Sequence, residues 1–239
     1  MRVLALDTST SDLITGLVDT ESGVVVDQVI VDTRAHNELL VPTVERLLAD
    51  AAVTYADLDA IVVGCGPGPF TGLRVGMATA SALGVALGIP VHGVCSHDAI
   101  AQGREGRWVV ATDARRKEVY WAAYADGERV AGPDVVKPEA LGEALAAAGV
   151  AAESVDSVVL PEALAPRLAE ELAGLPRTEG TPRAEQLVAV AQAAGPLDGE
   201  AAPLVPLYLR RPDAVPPKEK PRSAALTMPD AMSDALGEK

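Results

Sequence analysis

The residues of this chain that could do chemistry lie in a glycine-rich stretch, Gly64 to Arg74, and in an Asp7-Thr8-Ser9 corner. A glycine-rich loop that opens a helix can present backbone N–H groups to an anion. A carboxylate beside two hydroxyls can hold a phosphate or a metal-bound water, but it is equally typical of a plain turn. The stretch has neither the Lys-Ser/Thr ending of a phosphate loop nor dinucleotide-site spacing. The candidate anion contacts are Asp7, Thr8, Ser9, Gly66, Gly68, Thr71 and Gly72.

The three histidines, His36, His92 and His97, do not form a metal-ligand pattern. The residue four positions after His36 is Leu40, so the helix predicted there lacks a two-histidine face. A single histidine near a helix start is typical of a cap or a hydrogen-bond partner. His92 and His97 are five residues apart across a predicted strand-to-helix junction. The sequence therefore predicts no metal site.

The composition excludes several classes of protein. The net charge is −14 over 239 residues, which argues against a broad basic face for nucleic acid. A local basic turn, Arg115 to Lys117, is either solvated or a contact for nucleic acid or an acidic partner loop. Two cysteines, Cys65 and Cys95, indicate a reducing compartment, and we expect a cytoplasmic protein without a signal peptide. The uncharged segment from Val75 to Val91 is shorter than a membrane span, so we expect a buried helix and no membrane association.

The glycine stretch must lie between a strand and a helix. Apolar residues before Gly64 predict a strand, and Thr71 is a suitable N-cap for the helix that follows. Small residues recur every fourth position in this helix, at Gly72, Gly76, Ala80, Gly84 and Gly88, which places them on one face. That face predicts close packing, either on the protein's own sheet or on a helix of a partner chain.

An earlier helix precedes this unit. It follows three short predicted strands and runs through Ala51, with an apolar stripe at Leu40, Val44, Leu47 and Ala51. Pro42 either starts its regular part or bends it.

The pattern of three strands, a helix and alternating strands and helices occurs twice. Val3 to Asp7 is echoed by Val109 to Asp113, and each is followed by a second strand, a glycine turn and a third strand. A duplicated α/β fold is therefore predicted. We divide the chain into a first subdomain, 1–103, a second subdomain, 104–211, and a flexible tail, 212–239.

Five pieces of the sequence together resemble the TsaB (YeaZ) family. They are the glycine loop Gly66 to Arg74, the opening Leu6 to Ser9, the segment Arg34 to Pro42, the Asp113-Ala114-Arg115 and Glu118-Val119-Tyr120 pair, and the closing Pro206 to Arg210. The resemblance implies a duplicated actin-like fold of the sugar kinase, heat-shock protein and actin type, with two similar subdomains. It also implies a role in making threonylcarbamoyladenosine beside the anticodon of tRNA.

The resemblance further implies partners. TsaB binds the related catalytic subunit TsaD, and the ATPase TsaE joins the larger complex. TsaD carries a His-x-x-x-His metal motif, which here reads His36 and Leu40, so we expect a non-catalytic scaffold that meets tRNA only through the complex. No cofactor is expected, apart from a nucleotide at a shared interface. The first two helices are expected to bind TsaD, or a second copy when the chain is alone, through His36, Leu39, Leu40, Thr43, Val44, Leu47, Ala51, Gly72, Leu73, Gly76, Met77, Ala80 and Gly84.

Two enzymatic alternatives remain. A phosphotransferase of the same fold would use Asp7, Thr8 and the glycine loop around a nucleotide, but its second half has Asp113 to Lys117 where a second glycine-rich turn is needed. A metallopeptidase is disfavoured because the sequence has no H-E-x-x-H motif.

Overall fold

A computed structural model describes residues 1–210 of the chain. The first half forms a five-stranded mixed sheet in the order β3-β2-β1-β4-β5. β1 lies at its centre because Val3 to Leu6 are apolar and buried on both faces. The elements of this half are β1 (Arg2–Asp7), β2 (Leu13–Asp19), β3 (Val25–Ile30), α1 (His36–Asp50), β4 (Ala60–Gly64), α2 (Phe70–Leu87), β5 (Val91–Val94) and α3 (Ser96–Ala101).

The second half repeats this topology. Its five strands have the order β10-β9-β6-β7-β8, and in each sheet a three-stranded antiparallel meander is extended by two parallel strands. The predicted duplicated fold is therefore confirmed. The elements of this half are β6 (Arg107–Asp113), β7 (Val119–Ala125), β8 (Glu128–Val136), α4 (Leu141–Ala147), β9 (Ser157–Val159), α5 (Glu170–Ala173), β10 (Arg177–Thr178) and α6 (Ala184–Ala194).

The last helix of each half packs on the sheet of the other half. α6 inserts Leu187 and Val188 into the core beneath β1, β2 and β4, whereas α3 places Ile100 against β6 and β7. A division at residue 103/104 therefore does not follow the hydrophobic cores. The physical reason is that each sheet has two apolar faces, and the helices on the inner faces are exchanged between the halves.

Several predicted boundaries are corrected. Pro42 lies inside α1 and does not start it, and α2 begins at Phe70 with Pro69 as its N-cap, so Thr71 is not the cap. Residues 162–173 do not form one continuous helix: a 3-10 turn (Glu162–Arg167) precedes α5, and Pro166 lies within that turn. The tail predicted over 212–239 lies outside the described residues.

Candidate functional site

The Asp7-Thr8-Ser9 corner follows β1 and is buried. One carboxylate oxygen of Asp7 accepts hydrogen bonds from the Ser9 backbone N–H at 2.7 Å and the Ser9 hydroxyl at 2.6 Å. The other accepts a bond from the Ser96 hydroxyl at 2.6 Å. Burial raises the pKa of Asp7, and the hydrogen bonds from Ser9 and Ser96 oppose that effect. The polar groups of this corner bond within the chain, which gives the corner a structural role, and its anion contact stays a prediction.

Thr8 explains the small residues of α2. Its hydroxyl donates to the Gly72 carbonyl at 2.8 Å and accepts from the Gly76 N–H at 3.0 Å. A methyl group added at Gly76 would lie 2.6 Å from that hydroxyl oxygen, and one added at Gly84 would overlap Val91 of β5. The small-residue face therefore packs on the protein's own sheet, and its assignment to a partner interface is wrong.

The centre of the glycine loop is likewise buried within the chain. Gly66 and Gly68 are buried, and a methyl group at Gly68 would overlap the Ser9 carbonyl. The Gly66 N–H donates to the Ser96 hydroxyl at 3.2 Å, and the Gly66 carbonyl accepts from the Ser96 N–H at 2.7 Å. This loop therefore fixes β4, α2 and α3 together, and Phe70, Thr71 and Arg74 at its end are exposed.

The apolar stripe of α1 also faces inward. Leu40, Val44 and Leu47 are at most 2% exposed, and they form one core with β1, β4 and the inner side of α2. Thr43, Leu73, Met77 and Ala80 are buried as well. These residues cannot present side chains to a partner while the chain is folded, so the predicted interface is corrected for all of them. Of the remaining predicted residues, His36, Leu39, Ala51 and Gly72 are partly exposed.

The outer faces of α1 and α2 expose different residues. α2 shows an uncharged surface that includes Ala78, Ser81, Ala82 and Val85, the last of which is 87% exposed. Beside it, α1 exposes Val41 among charged residues. By length and composition, α2 is the one helix among residues 1–210 that could cross a membrane. Only 28% of this helix is buried within the protein. The prediction of a buried helix therefore holds for one side only.

The histidines and cysteines are held in structural positions. His36 lies 3.4 Å from the Asp12 carbonyl, His92 lies 2.9 Å from the Leu197 carbonyl, and His97 lies 2.8 Å from the Thr112 hydroxyl. Burial raises the pKa of the Cys65 thiol to about 11, so it is not an activated nucleophile. Within residues 1–210, no three metal-ligating side chains form a cluster that could hold an ion.

A cavity of about 560 Å³ lies in the cleft between the two halves. Acidic and basic side chains mix along its wall, including Asp12, Asp113, Glu179 and Arg183. Arg183 is paired with Asp27, and Asp113 with Arg115. No local sequence pattern predicts this grouping, because the contributing loops are far apart along the chain.

A second cavity of about 330 Å³ lies beside the start of α2. It joins the end of the glycine loop, the basic turn at Arg115 and Arg116, and the closing segment at Tyr208. Each of these three pieces is recognisable in the sequence. Their meeting at one place is a product of the tertiary structure.

The chain is similar to several known proteins. Residues 23–170 match the family model described as "TsaD: tRNA N6-adenosine threonylcarbamoyltransferase". An uncharacterized protein of Mycobacterium tuberculosis is 52% identical over 221 residues, which cover 90% of this chain and 94% of that protein. The tRNA threonylcarbamoyladenosine biosynthesis protein TsaB of Escherichia coli is 35% identical over 133 residues, which cover 54% of this chain and 57% of that protein.

A solved structure agrees with these matches. The crystal structure of an uncharacterized Pseudomonas aeruginosa protein, described as similar to peptidase YeaZ, superimposes with a TM-score of 0.67 at 31% identity. The match covers 87% of this chain and 99% of that one. It extends through both halves and confirms the duplicated actin-like fold. The chain therefore belongs to the TsaB (YeaZ) family.

Proposed function

We propose that this chain is a non-catalytic subunit for threonylcarbamoyladenosine modification of tRNA, and that it binds and supports a TsaD catalytic protein in the cytoplasm. The names of the TsaB relatives from Escherichia coli and Bacillus subtilis support the pathway. The match to the TsaD family model supports a shared fold between the two subunits. Related folds can pair through equivalent helices, as two copies of one fold do in a two-fold symmetric dimer.

The uncharged outer face of α2 is the observation that carries this proposal. Between Val75 and Val91 the helix and its exit have no charged residue, although Val85 and its neighbours are exposed. An exposed apolar helix face beside a second helix favours a helical partner. The interface therefore lies on the outer sides of α1 and α2, opposite the buried stripe. The same surface would form a homodimer when no TsaD is present.

The proposal of a non-catalytic role rests on the positions of the reactive side chains, which are taken up by contacts within the chain. Asp7, His97 and Cys65 are each enclosed by the chain's own contacts, and the residue one turn after His36 is Leu40. The complex, including TsaE, would supply catalysis, and a nucleotide would bind only where two subunits meet. Purified chain alone should not hydrolyse ATP, and ATP turnover by it would favour the phosphotransferase alternative.

The interface is tested with Val85→Glu, because this side chain is exposed on α2. We expect the wild-type chain to form a complex with TsaD in size-exclusion chromatography with light scattering, and Val85→Glu to weaken it at least about tenfold. A desolvated charge in an apolar interface has this effect. Circular dichroism should show an unchanged fold.

Val130→Glu is the matched control, since Val130 is 53% exposed on β8 of the second half. It should bind TsaD as the wild type does. Leu47→Glu, by contrast, places a charge in the core and should unfold the chain, so it cannot test the interface. Equal binding by Val85→Glu and wild type would contradict the proposed surface.

A further inference from the structure

The second cavity is walled by a surface aromatic stack. The ring centroids of Phe70 and Tyr208 are 4.9 Å apart, and the guanidinium carbon of Arg74 lies 3.9 Å above the Phe70 ring. The Arg74 Nε donates to the Tyr208 hydroxyl at 3.2 Å. Phe70 and Tyr208 remain 42% and 38% exposed as residues, in a chain that has a single phenylalanine and four tyrosines. An ordered aromatic pair at the surface is therefore a candidate stacking platform.

The opposite wall is a basic turn. Arg115, Arg116 and Lys117 have φ angles of +62°, +53° and +64°, a conformation unfavourable for residues with a Cβ atom. Such a backbone typically costs about 1–3 kcal/mol per residue and is often found at ligand clamps. The turn exposes all three cationic residues, and Arg115 and Arg116 line the cavity.

The local charge differs from that of the whole chain. Arg74 and Arg210 add to the three cations of the turn, and the carboxylates of Asp113 and Glu118 pair with Arg115 and Arg210, so five cations stand beside two carboxylates. In a chain of net charge −14, this concentrates positive charge at one small site. Positive groups beside stacking rings are the combination that binds single-stranded nucleic acid, with cations near phosphates and rings beneath bases.

We propose that this basic–aromatic pocket, formed by Phe70, Arg74, the turn 115–117, Tyr208 and Arg210, binds RNA. One unpaired nucleotide stacks on Tyr208, and its phosphates lie near Arg115 and Arg116. A volume of about 330 Å³ suits one nucleotide and not a duplex. An acidic peptide would use the cations but would leave the rings unused. The inference rests on the proposed function, because the pocket adjoins the start of the α2 face assigned to TsaD and would extend the complex's RNA surface.

The test uses the full chain in complex with TsaD and a fluorescent anticodon stem-loop RNA. Tyr208→Ser should weaken RNA binding by about tenfold, the loss of one stacked base, while Tyr208→Phe should retain it. The Arg115→Glu/Arg116→Glu variant should also weaken binding and reduce its salt dependence. Lys137→Glu/Arg177→Glu is the matched control, because both residues are exposed elsewhere in the second half.

Complex formation is measured separately, without RNA. RNA affinities that are equal for all variants overturn the inference. If charge reversal abolishes TsaD binding but RNA affinity does not depend on Tyr208, the pocket binds an acidic protein segment instead. If no TsaD complex forms at all, the proposed function fails, and the pocket is then tested on the chain alone with a 5-iodouridine oligonucleotide. A photocrosslink at Tyr208 supports the pocket, and crosslinks elsewhere or none overturn it.

Discussion

At the scale of single residues, Asp7 is a structural junction. Its carboxylate is the common acceptor for Ser9 and Ser96, and so it ties the end of β1 to the start of α3. We expect Asp7→Ala to lower the free energy of unfolding by about 2–4 kcal/mol, because two buried hydroxyls lose their acceptor. Urea denaturation measures this change in the free energy of unfolding. Asp50→Ala, at an exposed residue, is the control and should change stability by less than about 0.5 kcal/mol. An Asp7→Ala variant as stable as the wild type would contradict the structural role of Asp7.

His97 gives the protein a pH-dependent stability. Burial, with a smaller effect of Arg129, lowers its pKa from 6.5 to about 3. His97 therefore takes up a proton more readily in the unfolded chain than in the folded one. The stability that neutral His97 contributes to the fold is complete above pH 6.5 and is lost as pH falls towards 3. The loss is at most about 1.4 kcal/mol per pH unit. Denaturation curves between pH 7 and pH 4 should show a steeper loss for the wild type than for His97→Gln. An equal loss of stability with falling pH in the two proteins would show that His97 is not its cause. His36→Gln serves as the control.

At the scale of elements, α2 packs one face on the sheet and exposes the other, where the proposed interface lies. A glycine-to-alanine change inside a helix normally stabilises it by about 0.5–1 kcal/mol. We expect Gly76→Ala to destabilise the protein by about 1–3 kcal/mol instead, because its methyl group meets the Thr8 hydroxyl that binds this helix. Thermal or urea unfolding decides the sign. Ser81→Ala on the exposed face of the same helix is the control, and a gain at both positions would show that α2 does not approach Thr8 closely.

At the scale of the whole molecule, the closing segment joins the two halves. The Leu207 N–H donates to the Cys65 carbonyl at 2.9 Å in the first half, and Arg210 pairs with Glu118 in the second. Leu207→Pro removes that donor, and we expect it to cost about 1–3 kcal/mol of stability. Val205→Pro, at a residue that is 68% exposed, should cost much less. Equal unfolding midpoints for the two variants would mean that the segment does not hold the halves together.

The sequence by itself determined the duplicated α/β topology, because strand and helix periods depend on neighbouring residues and the second half repeats the first. It also placed the small residues of α2 on one face. It could not decide what that face meets, since a close-packing stripe suits the protein's own sheet or a partner helix equally. Only the tertiary structure placed Thr8 against Gly72 and Gly76, and so moved the candidate interface to the opposite side around Val85. The exchange of α3 and α6 and the meeting of Phe70, Arg115 and Tyr208 were likewise decided by contacts between distant segments, which no local pattern encodes.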